Sequence, residues 1–146
     1  WRFSVIDGLN SQVPVYLFSA QRPNMIIDPA EMHHDQEVAT FAGKHHWEPI
    51  GLVFYDISGQ GGPDSSKEIW DWIQKTINVP GVTVAAPSEY KKNSTLELTD
   101  GKGDANETWT IYNCWPISTN WNDLDYSASD IQTIDVSMKY DRAVRK

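Results

Sequence analysis

The strongest constraint on the fold lies near the end of the chain. In TIDVSMKY, Ile134, Val136, Met138 and Tyr140 fall on one side of an extended backbone, and Thr133, Asp135, Ser137 and Lys139 fall on the other. A strict period of two is the pattern of a β-strand with one face in a core and one face wet. VPVYLFSA (Val13 to Ala20) is apolar on both alternating faces apart from Ser19. Such a strand needs covering on both sides, by a core or by a neighbour. QEVATFAG (Gln36 to Gly43) and WEPIGLVFYDIS (Trp47 to Ser58) continue the series. Pro49 stands at the start of the latter, where a missing N–H is tolerated. Pro23 and Pro29 are read as a break and a turn in the connection before them.

One helix interrupts the strands. Ser65 and Glu68 fit a capping box, and Ile69, Trp72, Ile73 and Ile77 then recur at helical spacing on one face. Pro80 and Gly81 are read as its stop. STLELT and TWTIYNCW flank DGKGDAN as the two arms of a hairpin. The whole is a mainly β, α+β pattern in one domain spanning residues 1–146, a β-sandwich or curled sheet with one flanking helix.

Composition narrows the function. The chain has 146 residues, 40% of them hydrophobic, and a formal net charge of −8. That balance lacks the basic footprint of a free-standing nucleic-acid binder. It leaves two readings, simple solubility or a surface that repels an anion. Cys114 is the sole cysteine, so there is neither an internal disulfide nor a multi-cysteine zinc site. This agrees with assembly in a reducing cytoplasm. No apolar run reaches the roughly 20 residues of a membrane-spanning helix. The sequence opens at Trp1, in the manner of a trimmed terminus, and shows no leader peptide.

Candidate chemistry is sparse. The four histidines form two pairs, His33-His34 and His45-His46. Neighbours on a strand point to opposite faces, so a metal site needs one imidazole of each pair to meet across a hairpin, near Glu31 or Asp35. The plainer reading is four polar residues on an exposed hairpin, and a pH-sensitive contact is a third. DLDYSASD, from Asp123, has Ala128 where a calcium loop needs glycine and Ile134 where it needs glutamate. The glycines of GQGG and GKG match no nucleotide loop. Asn93 and Asn106 head short glycosylation-like triplets, read as chance occurrences outside a secreted eukaryotic chain. Seven tryptophans fit a core or interface, or else a sugar-stacking platform. No nucleophile, metal cage or cofactor loop is visible, and no catalytic residue or cofactor is assigned. SEYKKN (Ser88 to Asn93) is a basic cluster in an acidic chain, either a solvated turn or a contact with an acidic patch on another copy.

The order of these pieces resembles a known family. PSEYKK (Pro87 to Lys92), the Trp115-Pro116 turn and Asp130-Ile131-Gln132-Thr133 leading into the last strand resemble the tail tube proteins of contractile-tailed, T-even-like bacteriophages. The likeness runs along nearly the whole chain. The family continues upstream of Trp1, and the paired histidines depart from its pattern. The resemblance implies a structural virion protein and no enzyme. It implies six copies in a ring, strands joined between neighbours into a barrel, and rings stacked into a hollow conduit for double-stranded DNA. The implied partners are further copies of the chain and the sheath, baseplate and terminator proteins, with assembly in the host cytoplasm and no membrane.

Within that frame, residues can be assigned to surfaces. Asp135, and after it Glu37 and Asp56, are expected to face an acidic or neutral lumen, along which DNA slides without being held. The long connection carrying Asp28, Glu31, His33, His34, Asp35, Lys44, His45 and His46 is expected to reach the adjacent ring. Glu89, Tyr90, Lys91 and Lys92 are candidate subunit contacts. Other members of such assemblies stay open: a tube-initiator or terminal-ring paralogue, or the tube of a protein-injecting device. Outside the family, a tryptophan-rich carbohydrate-binding β-domain predicts a monomer that binds sugar, and an enzyme with a carboxylate pair predicts a cleft with a raised-pKa acid.

Overall fold

The computed structural model of the chain describes residues 2–5, 15–34, 37–56, 64–78, 80–81, 83–100, 102, 104–123 and 131–146. Asp35, the glycine-rich loop at 59–62 and residues 124–130 of the acidic segment lie outside the described residues.

Strands dominate. They are β1 (Arg2–Val5), β2 (Val15–Ala20), β3 (Met25–His34), β4 (Glu37–Trp47), β5 (Ile50–Tyr55), the two-residue β6 (Ile77–Asn78) and β7 (Thr83–Val84), β8 (Lys92–Thr99), β9 (Ala105–Asn120), β10 (Thr133–Lys139) and β11 (Arg142–Arg145). Two helices interrupt them, α1 (Ser65–Thr76) and the single turn α2 (Pro87–Tyr90). The seven-stranded sheet runs β10-β5-β2-β1-β8-β9-β11, and β10 also pairs with β9. That extra pairing curls the sheet back onto itself. β9 is the reason it can close. Its first half pairs with β8 and β11, and its second half, Trp115 to Asn120, pairs with β10.

The bend in β9 has a local cause. The β8–β9 register shifts between Lys92 and Ser94, opposite Asn113, whose φ of 55° is left-handed. Asparagine is one of the few side chains that tolerates this region, and a bulge there turns the strand from one part of the sheet to the other. Side chains hold the corner. Asp141 accepts hydrogen bonds from Lys91 Nζ (3.0 Å) and Asn113 Nδ2 (2.9 Å). Asn93 Oδ1 accepts from the Asn113 N–H. Burial pushes the Asp141 carboxyl up, but these bonds and the Lys91 charge outweigh it and leave it below the usual range.

The alternation in the last strand is realised as expected. Ile134, Val136, Met138 and Tyr140 are each at most 2% exposed. They meet Ile50, Leu52 and Phe54 of β5, Leu17 of β2, and Leu96, Ile111 and Cys114 of the β8–β9 pair. Each such side chain contributes about 1.5–3 kcal/mol when fully buried. α1 adds Ile69 and Trp72 to this core.

Several local expectations are corrected. The helix cap is Asp64, one residue earlier than Ser65: its Oδ1 accepts from the Lys67 N–H at 3.0 Å, while Ser65 is buried inside the first turn. Ile77 leaves the helix face for an extended C-cap and is 46% exposed. Pro80 and Gly81 form the turn between β6 and β7 and do not stop the helix, which has already ended at Thr76. Pro29 makes no turn: it lies within β3, beside a register shift. Pro116 makes no turn either, since it is buried within β9 opposite Met138. A proline is tolerated there because β8 stops pairing at Cys114 and the β10 register shifts at Met138. A short helix occupies PSEY, with Pro87 in its first turn.

Arg22, from the β2–β3 connection, and Arg145 of β11 converge on Glu107 of β9, at 3.2 and 3.8 Å. The Trp109 indole N–H also donates to this carboxylate and is the main cause of its lowered pKa, with Arg22 and Arg145 assisting against burial. A depressed folded-state pKa gives stability that is present above the unfolded carboxylate range and lost as pH falls through the folded value. Wild type is therefore expected to lose stability below about pH 4.5 more steeply than Glu107→Gln, with urea midpoints measured across pH 3 to 7 as the check.

Candidate assembly surfaces

β3 and β4 form a two-stranded ribbon of their own, separate from the main sheet. It is an arm. Ten and eleven residues long, its strands span roughly 33 Å at the usual rise per residue. Its base is fastened. The Glu48 N–H donates to Asn24 O at 3.0 Å, Lys139 Nζ donates to Trp47 O at 2.8 Å, and Trp47 packs on Tyr140. Beyond the base nearly every residue is exposed, including Ile27, Met32, Val38 and Phe41 at 50–55%. An isolated two-stranded ribbon is marginal in water, and four large apolar side chains on it lack a cover within the described chain.

A glycine shapes the arm. The β3–β4 register shifts between Ile27 and Pro29, which leaves an extra β4 residue beside Asp28. A Cβ on Gly43 would lie 2.5 Å from the Asp28 carbonyl oxygen, so only glycine permits the close approach.

The pairing separates the histidines. His33 lies opposite Val38 and His34 opposite Glu37 near the tip, whereas His45 and His46 lie opposite Ile27 and Ile26 near the base. The two pairs therefore do not meet across the hairpin, as a shared metal site requires. His33 stands six positions along β3 from Ile27, the level of His45, roughly 20 Å away. His46 Nδ1 instead faces Asp28 at 3.6 Å, where Glu31 or Asp35 was expected as its neighbour. Among the described residues no three His, Cys, Asp or Glu side chains converge as metal ligands.

The second surface is the polar face of β10 and its neighbours. Asp135, Ser137, Ser118, Asn120, Ser19 and Gln21 line a shallow trough of about 300 Å³. It carries one carboxylate among neutral groups. Asp56 follows β5, its N–H donating to Gln132 O, and Glu37 sits on the arm. The three residues expected to share a lumen are thus on three different elements, and only Asp135 is on the trough. Phe18, on the outer side of β2, is 61% exposed and meets Tyr55 edge to face. The double covering expected of β2 is therefore absent within the described residues.

The third region is the α1–α2 side. Trp72 Nε1 donates to Tyr90 O at 2.7 Å, and Tyr90 meets Trp115 edge to face. Lys91 is bound to Asp141. Of the four candidate contact residues there, Tyr90 and Lys91 are thus engaged inside the chain, Lys92 is half-buried and Glu89 is exposed. Trp70 and Trp121 meet at 62° over a hollow of about 440 Å³ flanked by Asp64, Ser66 and Lys67. The two indoles meet edge to face and are not coplanar. Cys114 is buried against Ser94 Oγ, and burial pushes its thiol up to about 12, which leaves it unreactive.

A curled β-domain that carries an uncovered two-stranded arm is the architecture these residues build. The chain belongs to the T4-like virus tail tube protein gp19 family, whose model matches residues 43–144. It is 32% identical over 107 residues to a tail tube protein of Serratia phage KSP90, a match covering 71% of this chain and 58% of that protein. The chain thus spans less than two thirds of that relative's length. Its fold is that of the anti-feeding prophage tube-terminating cap, with a TM-score of 0.72 at 20% identity over 100% of this chain and 88% of that one. It is also that of a chain in the extended sheath-tube complex of the extracellular contractile injection system PVC (TM-score 0.70, 20% identity, 99% and 86% coverage). Hcp1 of E. coli EAEC 042 shares it more distantly (TM-score 0.58, 10% identity, 99% and 89% coverage).

The arm is separable from the core. Gly43→Val is expected to disorder the ribbon while leaving the barrel's thermal midpoint within about 2 °C, a shift worth less than 1 kcal/mol. Calorimetry, with limited proteolysis of the arm, checks this.

Proposed function

We propose that the chain is a repeated subunit of a phage tail tube, in which six copies close a ring and rings stack into a hollow conduit for double-stranded DNA. The observation that carries the reading, beside family membership, is the arm. Its apolar residues, and its outer borders that have no neighbour among the described strands, are a liability in a free monomer and become an asset once another copy covers them. The arm then bridges to the next ring, through the segment that includes Asp28, Glu31, His33, His34, Asp35, Lys44, His45 and His46. Exposed Glu89 and half-buried Lys92 supply a smaller contact between subunits. Further copies of this chain, the sheath, the baseplate and the terminator are its partners, and the virion is its place.

The lumen follows from charge. Six copies carry roughly −48 formal charges, screened beyond about 10 Å. Duplex DNA carries about one charge per 1.7 Å, and a basic wall would hold it by counterion release. Asp135 and the neutral groups around it suit a wall along which DNA slides. Glu37 and Asp56 are secondary lumen candidates. The likeness to a tube-terminating cap keeps a terminal-ring paralogue as the second reading.

Negative-stain images of the purified protein test the main reading: six-fold rings or tubes are expected, and a native particle with this chain absent from its tube overturns it. Deleting residues 28–35 is expected to leave folded subunits or single rings and abolish long tubes, and unchanged tube lengths by electron microscopy would count against the bridging role. Asp135→Lys is expected to leave tubes intact and slow DNA release from the particle, most strongly at low salt, as followed by dye uptake during ejection.

A further inference from the structure

The charge of this chain is unevenly placed, and its distribution points to where the arm docks. The described arm carries three carboxylates, Asp28, Glu31 and Glu37, against one lysine, Lys44. Residues 142–146 carry the reverse: Arg142, Arg145 and Lys146 are all exposed within five residues. β11 pairs only with β9, so its outer border has no neighbour among the described strands.

Resting on the tube reading above, we propose that the acidic β3 side of the arm docks on the basic β11 border of a neighbouring copy. Spacing supports the match. Asp28 and Glu31 stand three residues apart on β3, and Arg142 and Arg145 stand three apart on β11. An odd spacing places each pair on opposite faces of its strand, so one alignment brings both acids beside both arginines. The guanidinium groups are held for this. Arg142 lies over the Tyr112 ring, 4.3 Å from its centroid, and Arg145 leans on Glu107 at 3.8 Å, with its side chain still 62% exposed. Val144, exposed between them at 45%, meets the apolar residues of the arm. Pro29, between the two acids, lacks an N–H, so side chains make the contact and no regular backbone ladder continues across it. A single exposed ion pair is weak, but the contact recurs in every subunit of a tube.

Charge reversal tests the docking. The full-length wild type and three variants, Asp28→Lys/Glu31→Lys, Arg142→Glu/Lys146→Glu and the four-fold combination, are compared by pelleting and electron microscopy near physiological salt. Arg145 is left intact because it also serves Glu107, and circular dichroism confirms that each variant is folded. Each double variant is expected to lower the pelletable fraction at least about tenfold through like-charge contacts, and the combination to restore it. Double variants that assemble as wild type does, or a combination that fails to recover while folded, overturn the docking and leave the tube reading standing. A wild-type chain that stays monomeric at high concentration, and is absent from the tubes of native particles, overturns both.

Discussion

The structure depends on one pairing, that of β9 with β10. It turns an open sheet into a closed one, and it requires the 16-residue β9 to serve two neighbourhoods along its length. Asn113 makes this possible by adopting a backbone that most side chains resist. Asp141 then ties the same corner to Lys91 and Asn113. The core residues of β10 are buried because this closure places them inside. Among the described strands β1, β2, β5, β8 and β10 are flanked on both sides, and the strands with a free border include those of the arm and β11. The curled sheet thus pairs most of its own strands among the described residues, and the arm projects from it.

The division between a self-sufficient core and a dependent arm has an energetic logic. The core residues of the curled sheet are almost completely buried. The arm exposes large apolar groups on a ribbon that alone is near the limit of stability. The apolar groups of the arm can be covered only by something outside the described residues. A chain with a fully open sheet, by contrast, would be prone to aggregate without register.

Much of the fold was legible in the sequence, for reasons visible in particular residues. The alternation from Thr133 to Tyr140 revealed β10 because one face is fully buried and the other is not. The β8–β9 hairpin was legible from its turn residues. The arm was only half legible. Met25 to His34 reads as a connection because a strand with neither face buried leaves no periodic signal, and Pro29 is easily taken for a turn when it sits at a bulge. β11 was missed for a related reason: four residues, with only Ala143 buried, are too few to show a period. The Asp64 cap was displaced by one residue because Ser65 and Asp64 are both good caps, and only the backbone decides between them.

The surfaces were less legible than the fold. A net charge of −8 gives no sign that residues 142–146 carry three basic side chains while the arm carries one lysine against three carboxylates. Asp135, Glu37 and Asp56 looked equivalent as acids on strand-like segments, yet they occupy a sheet face, a ribbon and a strand end. Lys91 looked like a surface cation and is an internal strut. Conversely, the folded chain gives meaning to a detail that sequence alone leaves mute. Gly43 in an alternating strand looks like a weakness, and it is the residue that lets β4 pass the Asp28 carbonyl. The acid that bears that carbonyl sits at the bulge and is also one of the arm's charges, so the same local irregularity that shapes the ribbon fixes where one of its carboxylates is presented.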